Sequence, residues 1–83
     1  MADKEEFQLY RTSDIYFSAY LCALDIQLEN TETSSDSNKV TFVFKVPTKD
    51  IGRLKASFFG GAGTVKALKF VQHLRSLKSM CFT

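Results

Sequence analysis

The residues best suited to catalysis are few and lie far apart in the sequence. Cys22 and Cys81 are the two cysteines, they form no CxxC motif, and His73 is the single histidine among 83 residues. A zinc site or a dithiol redox motif needs several such side chains at short spacing. We therefore predict two free thiols, a solvated His73 and no metal site.

Carboxylates and glycines offer two further kinds of chemistry. A pair of carboxylates can serve in acid–base catalysis when the two are positioned together, but Asp14 and Asp25 fall at predicted helix and strand ends. Residues 60–63, Gly-Gly-Ala-Gly, precede Thr64 at a predicted helix start, where backbone N–H groups can bind a phosphate. The lysine and hydroxyl of a phosphate loop are missing there, so a helix-to-helix turn is favoured and anion binding is the alternative. We predict no catalytic residue, no enzymatic activity and no cofactor.

Charge is divided unequally along the chain. Residues 1–38 carry two basic and eight acidic side chains, a net −6, whereas residues 39–83 carry nine basic and one acidic, a net +8. A basic half is typical of nucleic-acid-binding proteins, although two halves of one small fold can also neutralise each other. Nucleic-acid binding is therefore one hypothesis, and its candidate residues are the basic side chains of the last two predicted helices: Arg53, Lys55, Lys66, Lys69, Arg75 and Lys78.

Hydrophobic periodicity places these residues on six elements. Apolar alternation predicts strands, and an apolar repeat of three to four residues predicts helices. Short polar side chains over 31–38 predict a mobile loop, and the expected helix N-caps are Ser13, Thr48 and Thr64. The predicted strands cover 7–10, 25–30 and 39–46, and the predicted helices cover 14–24, 49–59 and 65–80.

The order β-α-β-β-α-α predicts an α+β fold. The third strand, 39–46, is apolar on both faces because Val43 interrupts its polar side, which is typical of a central strand. Phe7 and Leu9 alternate with Gln8, which predicts a half-buried first strand. We expect a three-stranded sheet with the third strand in the middle and all three helices on one face.

The first helix is apolar almost all round, with Ser18 as its clearly polar residue. Such a helix must be covered on more than one side, either by the rest of the domain or by a second copy. Tyrosine is enriched at protein interfaces. Our leading hypothesis is a small non-enzymatic protein-interaction module that self-associates through the first helix or a sheet edge. Its interface candidates are Tyr16, Tyr20 and Ala23 of the first helix and Leu68 on the outer face of the third.

Residues 10–21, Tyr-Arg-Thr-Ser-Asp-Ile-Tyr-Phe-Ser-Ala-Tyr-Leu, resemble the start of a family of short uncharacterised prokaryotic and phage proteins, classed as a domain of unknown function. In that family a TxDLxxAA[FY]L segment opens the first helix. Residues 40–44 are similar to its central strand, and residues 58–60 and 70–78 look like its closing helices. The resemblance covers about residues 7–80 and implies the same fold in a soluble cytoplasmic protein, with no activity established.

Composition bounds the remaining possibilities. The chain is 45% hydrophobic and 24% charged, which is an ordinary globular balance. No apolar run approaches the ~20 residues of a membrane span, and the polar start lacks the features of a signal peptide. We expect a single domain over 1–83 with an ordered core of about 7–80. We expect it in the cytoplasm, with itself or another protein as partner, nucleic acid as the alternative, and no membrane.

Overall fold

The computed structural model describes residues 6–33, 39–61 and 63–81 of the chain. Its elements follow the predicted order, which confirms the α+β class. They are β1 (Phe7–Thr12), α1 (Ile15–Ala23), β2 (Gln27–Thr33), β3 (Val40–Pro47), α2 (Ile51–Phe59) and α3 (Ala67–Cys81), with a short 3₁₀ turn (Thr48–Asp50) before α2.

The second strand is longer than predicted. Thr31 and Thr33 pair with Phe42 and Val40 of β3, so the strand continues where a loop was expected. The prediction was wrong for residues 31–33 because β-branched threonines fit a pleated strand well when a neighbouring strand is available. The rest of the predicted loop, 34–38, lies outside the described residues.

The sheet has β3 at its centre, in the order β1-β3-β2, and both pairings are antiparallel. This confirms the predicted central position of the most apolar strand. Phe42 and Phe44 belong to the core between sheet and helices. Val43 points to the opposite face, because successive side chains of a strand alternate.

The domain itself encloses α1. Phe17 and Leu21 are almost completely buried. The Phe17 ring lies 5.9 Å from the ring of Tyr10 in β1 and 5.3 Å from that of Phe58 in α2, measured between centroids. Small residues such as Ala19, which is fully buried, let neighbouring elements approach this helix closely. The sequence allowed this helix to be covered either by the rest of the domain or by a second copy, and in the structure the rest of the domain covers it.

The connection between α2 and α3 completes this enclosure. A Cβ added at Gly63 would lie 2.8 Å from the Cζ atom of Tyr20, so the backbone passes directly over the tyrosine. The backbone N–H of Gly60 donates to the carbonyl of Ala56, and that of Gly63 donates to Ser57 at 2.8 Å. Gly61 adopts the left-handed conformation, φ 80°, that commonly ends a helix. These amides satisfy α2 carbonyls, which favours the helix-to-helix turn over anion binding.

The observed helix starts differ from the predicted caps. Asp14, rather than Ser13, caps α1, because its Oδ1 atom accepts hydrogen bonds from the backbone N–H groups of Tyr16 and Phe17 at 2.9 and 3.1 Å. A carboxylate at this position also interacts favourably with the helix dipole. Thr48 lies in the 3₁₀ turn before α2, where Asp50 takes the N-cap position without a side-chain hydrogen bond.

The third helix begins at Ala67, two residues later than predicted. Thr64 therefore lies in the connection before the helix and does not begin it. Within this connection, Gly63 is held against Tyr20 and α2. Close packing of the connection thus takes precedence over the capping preference of an isolated threonine.

Candidate interaction site at the edge of the sheet

The side chains of Phe7 and Leu9 lie on the sheet face opposite the helices. Tyr10 faces the helices, because its ring contacts Phe17, and alternation along the strand turns its neighbour Leu9 the other way. Phe7 and Leu9 are 48% and 51% exposed. The half-buried first strand predicted from the sequence therefore has these two apolar residues on its exposed side, and Tyr10 on its buried side.

The hydrogen-bonding direction of β1 follows from its register with β3. The Thr48 N–H donates to the Glu6 carbonyl at 2.9 Å, so Glu6 and Thr48 form a hydrogen-bonded pair. Such pairs recur at every second residue of an antiparallel ladder, so the even-numbered residues of β1 direct their backbone groups toward β3. Pro47 lies opposite Phe7, a position that requires no N–H donor toward β1. The odd-numbered residues of β1 must then direct their backbone groups to the outer edge.

Three residues thus present backbone donors and acceptors along the outer edge of β1: Phe7, Leu9 and Arg11. Within 6–33, 39–61 and 63–81, no strand pairs with this edge, and no backbone hydrogen bond uses these groups. Unpaired backbone groups of an edge strand are a template for pairing with another strand. Because Phe7 and Leu9 supply both these groups and exposed apolar side chains, the edge and the face form one continuous surface, which we call the β1 edge site.

The opposite edge of the sheet is protected, unlike β1. The register of β2 shifts between Leu28 and Asn30, an irregularity of the β-bulge type. Glu29 and Glu32 add acidic, exposed side chains to this strand. Bulges and charges are the usual devices that prevent edge-to-edge association. The difference between the two edges singles out β1.

Charged side chains border the β1 edge site. Arg11 Nε lies 3.3 Å from Glu32 Oε1, so this ion pair joins the two outer strands across β3. Val43, opposite Arg11 in the register, is only 1% exposed. The ammonium of Lys45 lies 5.1 Å from the centroid of the Phe7 ring, within the range of a cation–π contact.

The interface candidates named from the sequence separate into two groups. Tyr20 and Ala23 are buried inside the domain, where a partner cannot contact them, whereas Tyr16 and Leu68 are 52% and 69% exposed. The predicted outward projection of Leu68 is thus observed. Sequence reasoning missed the edge residues because alternation alone does not say which face of a strand is buried. The sequence feature that could have indicated the buried face was Tyr10, an aromatic residue on the opposite side of the strand from Phe7 and Leu9.

Half of the candidate nucleic-acid-binding residues are engaged within the domain. Lys69 Nζ lies 3.0 Å from Asp25 Oδ1, and an Arg53 terminal nitrogen lies 3.2 Å from Asp50 Oδ1. The ammonium of Lys55 lies 5.6 Å from the centroid of the Tyr10 ring. The other three are exposed, one just before α3 and two on it: Lys66, Arg75 and Lys78.

A groove beside α3 brings together Cys22, Asp25 and His73, which are far apart in the sequence. Burial raises the pKa of the Cys22 thiol above its usual value of 9.0, which favours the unreactive neutral thiol. Within the part of the chain that the structure describes, no three His, Cys, Asp or Glu residues are placed to hold a metal ion. The groove therefore combines suitable residue types without an activated nucleophile.

Asp25 lines this groove and directly follows Leu24, the C-cap residue of α1. Its backbone N–H donates to Cys22 at 2.9 Å, and that of Ile26 donates to Leu21 at 3.0 Å, the two bonds of a Schellman motif. Asp25 has a positive φ of 65°, a conformation that glycine usually supplies. Its position thus has a structural explanation in the helix end and in the ion pair with Lys69.

The observations define a class: a small α+β domain with a three-stranded antiparallel sheet, helices on one face, and an edge strand, β1, whose outer side is paired with none of the described strands. Residues 7–83 match the family described as Domain of unknown function (DUF5659), and the chain belongs to this family. This confirms the expectation that the chain belongs to a family classed as a domain of unknown function. No curated protein and no solved structure matches the chain. No helix within the described ranges is long and apolar enough to cross a membrane.

Proposed function

We propose that the protein is a non-enzymatic protein-interaction module that self-associates, with the β1 edge site as its binding element. The observation that supports this most is the coincidence, on Phe7 and Leu9, of outward backbone groups and half-exposed apolar side chains. An added strand would satisfy the backbone groups and cover the side chains in one step. The sequence hypothesis placed the interface on the first helix or on a sheet edge, and of these two the first helix is enclosed by its own domain.

Self-association is the form of this function that the chain can test directly. We expect the unchanged protein at tens of micromolar to show a mass above that of the monomer in light scattering coupled to size-exclusion chromatography. Leu9→Lys should shift the protein toward monomer, because a charged side chain at an edge opposes strand addition. Since Leu9 is half-exposed, the substitution should leave the fold intact, which circular dichroism and urea unfolding can verify.

A matched control uses the other edge of the sheet. Thr33→Lys introduces the same charge at an exposed position of β2, and we expect it to leave the mass unchanged. A monomeric unchanged protein would contradict self-association. Equal effects of both variants would contradict the assignment of the interface to β1.

Nucleic-acid binding is the second proposal, and it is supported by the exposed Lys66, Arg75 and Lys78 near and on α3. It is weaker than the first because Lys69 and Arg53 have carboxylate partners within the domain. For either function we propose a cytoplasmic location, because Cys22 is a free thiol and reducing compartments keep thiols in that form.

A further inference from the structure

We propose that two copies of this chain join their β1 strands antiparallel, with Leu9 of one copy opposite Leu9 of the other on a two-fold axis. This inference rests on the proposed self-association and adds the partner's strand, its direction and its register. The result would be one six-stranded sheet in the order β2-β3-β1-β1-β3-β2.

The direction of the backbone groups limits the registers that two β1 strands can adopt. Only Phe7, Leu9 and Arg11 point their N–H and C=O groups outward, so hydrogen-bonded pairs must join odd-numbered residues of both copies. A one-residue slip would oppose inward-directed groups and lose these bonds. The remaining choices are symmetric pairings centred on Phe7, on Leu9, on Arg11, or midway between two of them.

Strand length favours the pairing centred on Leu9. In that register, Phe7 of each copy lies opposite Arg11 of the other, and all three outward residues have partners within the strand Phe7–Thr12. A centre on Phe7 or on Arg11 would leave most of the strand without a partner. A centre midway between Leu9 and a neighbouring outward residue would pair only two of the three outward residues within the strand.

The charge of Arg11 disfavours the pairing centred on that residue. A centre on Arg11 would place two guanidinium groups directly opposite each other, and like charges in that position are destabilising. In the pairing centred on Leu9, each arginine lies beside the Phe7 ring of the other copy.

The two-fold symmetry of this pairing limits the assembly to two copies. A two-fold axis perpendicular to the sheet keeps the helices of both copies on one side and uses the same edge twice. The outer edges of the six-stranded sheet are then both β2, which carries the irregularity at Leu28–Asn30 and its acidic side chains. The protected edge thus lies where further growth would otherwise occur, and we expect a dimer and no filament.

Disulfide trapping tests the register. In a Cys22→Ser, Cys81→Ser background, Leu9→Cys would bring two thiols together, because facing Cα atoms of a hydrogen-bonded pair are ~5.5 Å apart, within the range of a disulfide. Phe7→Cys, Arg11→Cys and Thr33→Cys in the same background are the controls. Under mild oxidation we expect roughly tenfold faster covalent dimer formation for Leu9→Cys than for any single control, because the facing thiols have a high effective concentration. A mixture of Phe7→Cys and Arg11→Cys chains should also cross-link.

Hydrogen exchange on the unchanged protein gives an independent readout. The amides of Phe7, Leu9 and Arg11 should become protected as concentration rises, whereas those of Gln8 and Tyr10, already bonded to β3, should change little. A dimer by light scattering that cross-links best through Phe7→Cys or Arg11→Cys alone would overturn the register and leave self-association standing. A protein that stays monomeric, without concentration-dependent protection, would overturn both.

Discussion

The substitution Gly63→Ala tests whether the α2–α3 connection encloses α1. The added methyl group would lie 2.8 Å from Cζ and 3.0 Å from Cε1 of Tyr20, and closer still to its hydroxyl. Tyr20 is buried and its ring packs against those of Phe17 and Phe58, with centroids 6.2 and 5.1 Å away, so it has little room to move. The collision should therefore cost stability.

The magnitude follows from two opposing effects. Overpacking a well-packed core costs roughly 1–3 kcal/mol. Replacing glycine by alanine at a compatible backbone position gains about 0.4–1 kcal/mol through the unfolded state. Gly63 does not have a positive φ, so backbone strain adds nothing. We expect a net loss of about 1–2 kcal/mol, which for a chain of this size lowers the Tm by roughly 4–8 °C per kcal/mol.

Urea unfolding followed by circular dichroism measures this loss, and Gly52→Ala is its matched control. Gly52 lies in α2 with nothing within 4 Å of an added Cβ, so the same change should stabilise the protein by about 0.5–1 kcal/mol. Tyr20→Phe in the Gly63→Ala background should recover part of the loss by removing the hydroxyl group. A Gly63→Ala protein at least as stable as the unchanged one would refute the enclosure and return Tyr20 to the set of interface candidates.

Three further predictions concern the helix cap, the buried thiol and the basic residues. Asp14→Ala should cost about 1 kcal/mol of stability and Ser13→Ala almost nothing in urea unfolding, because the Asp14 carboxylate accepts the first helical amides; the reverse order would restore Ser13 as the cap. Folding raises the pKa of the Cys22 thiol, so the thiol of the unfolded chain loses its proton at a lower pH than that of the folded chain. The free energy of unfolding should therefore fall as the pH rises above about 9, and it should fall less in the Cys22→Ala variant. Identical pH profiles of the two proteins would contradict this. Labelled DNA and RNA should show no binding at physiological salt, whereas a slope of log K against log salt of about −2.7 would indicate three phosphate contacts, as Lys66, Arg75 and Lys78 could make, and favour the nucleic-acid proposal.

The local pattern of apolar and polar residues was sufficient to predict the order of the elements and the central position of β3 in the sheet. The run Val40–Val46 is apolar on both faces, so it suits the central position whatever the neighbouring strands are. Helix starts were less predictable, because Ser13 and Asp14 are both good caps and only the path of the chain decides which one meets the free amides. The extension of β2 to Thr33 was missed for a similar reason, since threonine joins a strand when a partner strand is present.

The candidate site depended on tertiary structure much more than the fold did. Alternation of Phe7, Gln8, Leu9 and Tyr10 separates two faces of a strand, but the register with β3 decides which face meets the helices. The direction of the free backbone groups is likewise a property of the pairing and is invisible in a single strand. The same holds for α1: its apolar circumference showed that something must cover it, and only the folded chain, with Gly63 against Tyr20, decided that the cover is its own domain.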